Sequence, residues 1–183
     1  GTITSGEFKV QNVETVGSHV SNAQLLSMAS AIEAVSTHPI ATSIVSEAKA
    51  QGIVVEASDF VQELAGEGMV GTVDGQQVLV GNRRLMERYA VQGYPTEAVE
   101  YGTEVLVAEG NVYLGRIIIA DEARPDSAEA IADLNGQDIK TVMLTGDAEA
   151  SANYIAKETG VSAVRAQLLP QDKLSVVQDI RSE

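Results

Sequence analysis

The chain has 183 residues, of which 44% are hydrophobic and 21% charged, a composition typical of one large or two small soluble domains with a hydrophobic core. The sequence has 12 basic and 26 acidic residues. The resulting net charge of −14, together with only 4% aromatic residues, argues against nucleic acid as a partner. With no cysteine and only two histidines, His19 and His38, the sequence excludes a disulfide framework, a thiolate metal site and a histidine-rich metal centre.

Hydrophobic periodicity and turn residues predict the elements up to about residue 120. They are a strand at 8–16, a helix at 22–35, a helix from about 37 to 52, strands between 60 and 80, a short helix at 83–91 and a hairpin of strands 104–108 and 112–120. Ser36 or Thr37 is expected to cap the second helix, because their hydroxyls accept from free backbone amides. Asp74-Gly75 is expected to form a hairpin turn.

The pattern changes near residues 116–121. From there the sequence predicts a helix at 126–134, a strand at 141–144, a helix at 148–159, a strand at 162–166 and a helix at 170–181. Alternating helices and short strands are typical of a parallel sheet. We therefore expect an α+β arrangement with antiparallel hairpins, followed by a doubly wound α/β arrangement.

Several motifs, in their order and spacing, resemble the heavy-metal-transporting P-type ATPases. His38-Pro39 resembles their His-Pro motif, and Gly66-Glu67-Gly68 with Gly81-Asn82 resembles the glycine motifs of their nucleotide-binding domain. Each motif alone is a weak signal, whereas the ordered set, which extends over essentially the whole chain, is specific.

The phosphorylation motifs of the same family are matched in part. Gly1-Thr2-Ile3-Thr4 resembles the end of Asp-Lys-Thr-Gly-Thr-Leu-Thr, the motif that carries the phosphorylated aspartate. Thr145-Gly146-Asp147 and the segment 169–173, which ends in Lys173, resemble two later motifs. The phosphorylated aspartate and a later Gly-Asp-Gly-x-Asn-Asp magnesium motif are not among the 183 residues, so the resemblance implies a fragment that binds ATP without turning it over.

The resemblance implies a fold and a setting. It implies an α+β nucleotide-binding domain at 8–114, an antiparallel sheet flanked by helices. It also implies a truncated phosphorylation domain, an α/β haloacid-dehalogenase-like Rossmannoid, formed by 1–7 and 115–183. ATP and Mg²⁺ are the implied cofactors, and ATP or ADP and the transmembrane and actuator domains of a transporter the partners. The apolar runs, such as 117–120, are too short to cross a bilayer, so we expect a soluble fragment. The resemblance implies that this fragment lies at the cytoplasmic face of a membrane.

Glu33 and His38 are the candidates for the adenine pocket. By resemblance, Glu33 meets the exocyclic amine of adenine, and His38 stacks on the ring or hydrogen-bonds with it. A carboxylate accepts from an amine, and an imidazole offers a flat face and a donor. The alternative from the residues alone is that Glu33 is solvated and that His38 packs beside Pro39.

The glycine motifs are candidates for contact with the nucleotide. Gly66 and Gly68 lack Cβ atoms and so let backbone amides approach phosphate oxygens, while Asn82 after Gly81 can both donate and accept. The alternative is that the glycines, including Gly71, serve hairpin turns and that Asn82 caps the following helix. A dinucleotide fingerprint is excluded, because a hairpin and not a helix follows these glycines.

The phosphoryl site implied by the resemblance consists of Thr2, Thr145, Gly146, Asp147 and Lys173. Thr145 would hydrogen-bond the phosphoryl group, Lys173 would neutralise its charge and Asp147 would organise the site. A simple N-cap of the next helix is the alternative for Asp147.

Asp121, in Asp121-x-x-Arg124-Pro125, resembles a segment that approaches the nucleotide. Its alternative role is in a turn before a helix that has proline in its first turn.

The implied activity is ATP-driven transport of a heavy-metal ion through an aspartyl-phosphate. The segments around His38 and Asp121 resemble the zinc, cadmium and cobalt branch slightly more than the copper branch. Two alternatives remain from the sequence: a haloacid-dehalogenase-type phosphatase and a stand-alone nucleotide-binding module. The phosphatase needs an Asp-x-Asp pair before a threonine, and the sequence contains none.

Overall fold

The computed structural model describes residues 2–17, 20–58, 60–147 and 149–182. Gly1, His19 and Ala148, which the sequence analysis mentions, lie outside these ranges. The chain forms two compact units, one of residues 7–120 and one that combines residues 1–6 with 121–183. The boundaries of the first domain are predicted at residues 8 and 114, and the corresponding compact unit runs from residue 7 to residue 120.

The unit of residues 7–120 contains most of six strands and three helices. In chain order they are β1 (Thr4–Thr15), α1 (Asn22–Glu33), α2 (Pro39–Ala50), β2 (Val61–Leu64), β3 (Gly68–Val73), β4 (Gln76–Gly81), α3 (Arg83–Arg88), β5 (Thr103–Glu109) and β6 (Val112–Ala123). The strands form one sheet in the order β1-β6-β5-β4-β3-β2. The pairings from β2 to β6 are antiparallel, which confirms the predicted antiparallel sheet flanked by helices.

Both faces of this sheet are covered by helices. Val78 and Val80 pack in one core cluster with α1 and α2, whereas Leu79, between them, packs in a second cluster with α3. This follows from the alternation of side chains along a strand. Because both faces are buried, strands such as β4 and β5 carry runs of apolar residues instead of a simple apolar–polar alternation.

The turns between strands agree only in part with the prediction. Asp74 and Gly75 have φ of 50° and 79° and join β3 to β4, which confirms the predicted hairpin turn. The alternative that Gly71 serves a hairpin turn is wrong, because Gly71 lies inside β3. A Cβ there would lie 2.5 Å from Cδ1 of Ile32, so this glycine lets the strand approach α1 closely.

The second unit alternates helices and short strands. They are α4 (Pro125–Gly136), β7 (Val142–Leu144), α5 (Glu149–Thr159), β8 (Ala163–Arg165) and α6 (Pro170–Ser182). β7 and β8 pair in parallel, as the alternating pattern predicts. Pro125 lies in the first turn of α4, which is also as predicted. Within the described ranges, the helices are all too short or too polar to span a membrane.

A polar cluster around Asn135 holds one end of this parallel pair. The Asn135 side chain donates from Nδ2 to the carbonyl of Gly160 at 2.9 Å. Its Oδ1 accepts from the hydroxyls of Thr141 and Ser162, each at 3.0 Å. One half-buried amide thus joins the end of α4 to the segments that enter β7 and β8.

Asn135→Ala should lower the free energy of unfolding of the second unit by about 1–3 kcal/mol, because it removes three hydrogen bonds at once. Urea denaturation, with amide hydrogen exchange in β7 and β8, measures the loss. Asn153→Ala is the control, since Asn153 is an exposed residue on α5 and makes none of the bonds in this cluster. Equal stability of the two variants would contradict a structural role for the cluster.

Candidate functional site

A cleft of about 250 Å³ opens in the unit of residues 7–120. Its walls come from the junction of α1 and α2, the turn between β2 and β3, the end of β4 and the start of β5. Six residues that the sequence analysis selects for ATP line it: Glu33, His38, Gly66, Gly68, Gly81 and Asn82. The fold therefore brings together residues that lie up to 49 positions apart in the chain.

Glu33 is the last residue of α1, and only 7% of its surface is exposed. Burial, and in second place the charge of Glu63 on β2, raises its pKa to about 7. Among the described residues no fully buried side-chain oxygen lacks a hydrogen-bond partner, and the Glu33 carboxylate makes no hydrogen bond to them. Its oxygens therefore keep access to the cleft, where a ligand could bond to them.

His38 is the N-cap of α2, and its Nδ1 accepts a hydrogen bond from the amide of Ile40 at 3.2 Å. The predicted caps Ser36 and Thr37 are therefore wrong. Ser36 lies earlier in the chain, and its hydroxyl accepts from the His38 amide at 3.2 Å. Because Nδ1 is an acceptor here, a neutral imidazole carries its hydrogen on Nε2, which is then a donor.

Gly68 and Gly81 are paired across β3 and β4, where only glycine fits. A Cβ on Gly68 would lie 2.3 Å from the Val80 carbonyl oxygen, and one on Gly81 would lie 2.3 Å from that of Glu67. These two glycines thus let the strands approach each other in the cleft wall. Gly66 differs, since its φ of 74° fits a turn and a Cβ there would meet nothing.

Asn82 joins the glycine turn to helix α3. Its Oδ1 accepts from the amides of Arg84 and Leu85 at 3.0 and 3.3 Å, which caps α3. Its Nδ2 donates to the carbonyl of Gly66 at 2.8 Å. The cap expected as one role of Asn82 is present, and one Nδ2 hydrogen remains for a ligand.

A second cavity, of about 390 Å³, lies in the other unit. It is lined by four of the five residues selected for phosphoryl transfer: Thr2, Thr145, Asp147 and Lys173. The hydroxyl of Thr145 donates to Oδ2 of Asp147 at 2.7 Å and accepts from the Asp147 amide at 3.1 Å. Helix α5 begins at Glu149, two residues after Asp147. The carboxylate of Asp147 is therefore close to the start of this helix, but its hydrogen-bond partner is Thr145, at the cavity.

Lys173 and Gly146 complete the surroundings of this cavity. Lys173 lies in the first turns of α6, and its ammonium group forms no ion pair within the described ranges. Gly146 lies in the turn after β7, where a Cβ would approach the Leu168 carbonyl oxygen to 3.2 Å. The lysine is therefore a cation that remains available to an anion in the cavity.

Asp121 lies in neither cavity. It belongs to β6, and its Oδ1 accepts from the amide of Gly6 at 2.9 Å and from the hydroxyl of Ser5 at 3.5 Å. The alternative placement of Asp121 in a turn is therefore wrong, because β6 extends to Ala123. In the structure, Asp121 holds the first residues of the chain against the end of this strand.

Sequence reasoning did not select the other carboxylates of the cleft. Glu63, Glu67 and Glu104 also line it. Glu67 binds Arg88 through both oxygens at 2.6 Å, and Glu104 binds Arg83 at 2.6 Å. Only Glu67, inside the glycine motif, carried a sequence signal, since the other two glutamates lie in strands without a motif.

Comparisons with known proteins agree with this arrangement. The family model for haloacid dehalogenase-like hydrolases matches residues 1–183. The chain is 38% identical to the cadmium, zinc and cobalt-transporting ATPase of Bacillus subtilis, covering all of this chain and 26% of that protein. It is 41% identical to the zinc-transporting ATPase of Synechocystis, covering 98% of this chain and 24% of that protein.

A solved structure shows the same fold. A crystal structure of a zinc-transporting PIB-type ATPase superposes with a TM-score of 0.86 and 32% identity, over 99% of this chain and 30% of that one. The chain thus spans about a quarter of the length of the curated relatives it matches. It belongs to the haloacid dehalogenase-like hydrolase family, and its homologues are heavy-metal P-type ATPases.

Proposed function

We propose that this chain is the ATP-binding part of a heavy-metal-transporting P-type ATPase, with residues 7–120 as its nucleotide-binding domain and the other unit as part of its phosphorylation domain. The supporting observation is the cleft, which brings together six of the seven residues selected for the nucleotide, among them the buried Glu33. A buried carboxylate in the wall of a cleft is costly for the fold and favours a binding role.

The adenine ring binds at Glu33 and His38. An ionised Glu33 accepts from the exocyclic amine, and His38 donates from Nε2 or stacks on the ring. Gly68 and Gly81 have no side chains in the opposite wall of the cleft, so the backbone there can come close to the nucleotide. Asn82 holds the Gly66 turn in place and offers its remaining donor.

The phosphoryl group belongs in the second cavity. Lys173 neutralises its charge, and the Thr145 hydroxyl, oriented by Asp147, hydrogen-bonds one of its oxygens. P-type ATPases of this family use ATP and Mg²⁺ in general. Among the described residues no three potential ligands form a metal site, but Mg²⁺ usually takes one or two carboxylates together with phosphates and waters. Asp147 is a carboxylate of the cavity that fits this role.

Metal transport is a property of the longer protein. Its transmembrane and actuator domains are the partners of this chain, which acts at the cytoplasmic face of the membrane. The aspartyl-phosphate forms on an aspartate of the phosphorylation motif, which splits one difficult hydrolysis into two easier steps. Of the two relatives described above, one is named for cadmium, zinc and cobalt and the other for zinc, and a divalent ion of this group is the proposed cargo.

His38→Asn tests the adenine pocket, because an asparagine keeps the N-cap of α2 and removes the imidazole ring. We expect the affinity for ATP to fall about 5- to 30-fold, which corresponds to ~1–2 kcal/mol. Titration calorimetry on the folded variant measures it. His38→Ala, which loses cap and ring together, should bind equally weakly but unfold at a lower temperature. Unchanged affinity in His38→Asn would reduce His38 to a helix cap.

A further inference from the structure

The residues that line the cleft are strongly acidic as a group. Its charged side chains are the glutamates Glu33, Glu63, Glu67 and Glu104, and within the described ranges no lysine or arginine lines it. ATP carries several negative charges, so an acidic wall repels the ligand that the proposed function assigns to it. The structure must therefore offset part of this charge from outside the cleft.

Arginines behind the wall supply that offset. Glu104 is only 11% exposed, and each of its carboxylate oxygens has an arginine partner: Arg83 Nε at 2.6 Å on Oε1 and Arg116 Nη1 at 3.4 Å on Oε2. Arg116 also binds Glu14 on β1 at 2.6 Å. Since Arg116 is shared between two carboxylates, Arg83 is the principal partner of Glu104.

Arg83 is itself held firmly. One terminal nitrogen, Nη1, donates to the carbonyl of Pro95, and the other, Nη2, donates to that of Glu97 at 2.7 Å. Its guanidinium carbon lies 6.0 Å from the centroid of the Tyr94 ring. All three nitrogens are thus engaged, and the planar fork cannot turn away from Glu104 without losing several bonds.

A second pair offers a comparison. Arg88 binds Glu67 through both carboxylate oxygens, but 56% of the Arg88 side chain is exposed. Solvent and salt screen an exposed pair, so its net effect on the cleft is small. The Arg83–Glu104 pair is 27% and 11% exposed, and its charges are screened much less.

We propose that Arg83 is a positioning residue for nucleotide binding: it neutralises Glu104 from behind the cleft wall and so lets the wall accept a polyphosphate. This inference rests on the proposed function, since it concerns the same cleft. Arg83 does not line the cleft and acts through Glu104. Without Arg83, Glu104 keeps only Arg116, which it shares with Glu14, and its charge acts more strongly on the nucleotide.

The test compares ATP with adenosine in titration calorimetry. Arg83→Met should weaken ATP binding about tenfold and adenosine binding less than about threefold, because the freed charge acts mainly on phosphates. Adding Glu104→Gln to Arg83→Met should return the ATP affinity to within about threefold of wild type. Arg83→Lys keeps the positive charge without the fork and should stay similarly close.

Lys49→Met is the control for net charge, since Lys49 is exposed on α2 and its loss also removes one positive charge. It should leave ATP affinity unchanged within about twofold. Equal losses for ATP and adenosine in Arg83→Met, with no recovery in the double variant, would overturn the inference and leave Arg83 as a structural residue. Wild-type protein that binds neither ligand would instead overturn the proposed function.

Discussion

Gly81→Ala should lower the free energy of unfolding by about 3 kcal/mol or more, among the largest effects expected of any single substitution in this chain. The added Cβ would lie 2.3 Å from the carbonyl oxygen of Glu67 and 2.7 Å from Cδ2 of Leu85. The oxygen belongs to the backbone and accepts from the Asn82 amide at 2.8 Å, so it cannot move without breaking that bond. Leu85 is fully buried and has no space into which to retreat.

Urea denaturation measures this loss, and Gly136→Ala is the matched control. Gly136 ends α4, and a Cβ there would have no atom within 4 Å. Alanine at a helical position is favoured over glycine by roughly 0.5–1 kcal/mol, so the control should be neutral or slightly more stable. A Gly81→Ala protein as stable as wild type would mean that β3 and β4 do not approach each other as closely as the structure shows.

Glu33→Gln should make the protein more stable at pH 8 and weaken its binding of ATP. The folded-state pKa of Glu33 is about 7, raised from the ordinary value of 4.5. The protonated form therefore favours folding: this contribution is complete below pH 4.5 and is lost as the pH rises to about 7. The loss amounts to about 3 kcal/mol, and glutamine, which does not ionise, avoids it.

Denaturation at pH 4.5 and pH 8 distinguishes this from a general effect of the substitution. The stability advantage of Glu33→Gln should be present at pH 8 and disappear at pH 4.5, while Glu56→Gln, on an exposed residue, should change little at either pH. ATP binding at pH 8 should weaken only in Glu33→Gln, because the charged acceptor for the adenine amine is gone. A variant that is less stable at pH 8 would show that Glu33 supports the fold instead.

Local patterns in the sequence were sufficient for most of the secondary structure. The helix from Asn22 was predicted from its apolar spacing, and the Asp74-Gly75 turn from its preference for positive φ. His38 as a cap was missed because serine and threonine are the usual caps, and nothing local shows that an imidazole nitrogen accepts the amide of Ile40. The turn role considered for Gly71 is wrong because its close packing against Ile32 depends on tertiary structure, which the local sequence does not show.

The candidate site was predictable where motifs carry it. The motifs led to Glu33 and His38 in the cleft and to Lys173 in the second cavity. The charge pairs behind the cleft were not predictable, because Arg83 and Glu104 are 21 positions apart and Arg116 and Glu14 are 102 positions apart. Such pairs depend on the register of the sheet, which sequence periodicity alone does not fix.

The division of one unit across the chain affects the order in which the protein can fold. Residues 3–6 pair with partners more than a hundred residues later in the chain; for example, the Ile3 carbonyl accepts from the Ser127 hydroxyl. Closing such a long loop in an unfolded chain carries a large entropy cost. β1 and β6 are neighbours in the sheet, so folding of residues 7–120 brings the two ends of that loop together beforehand. Folding of residues 7–120 should therefore lower the entropy cost of closing the outer unit.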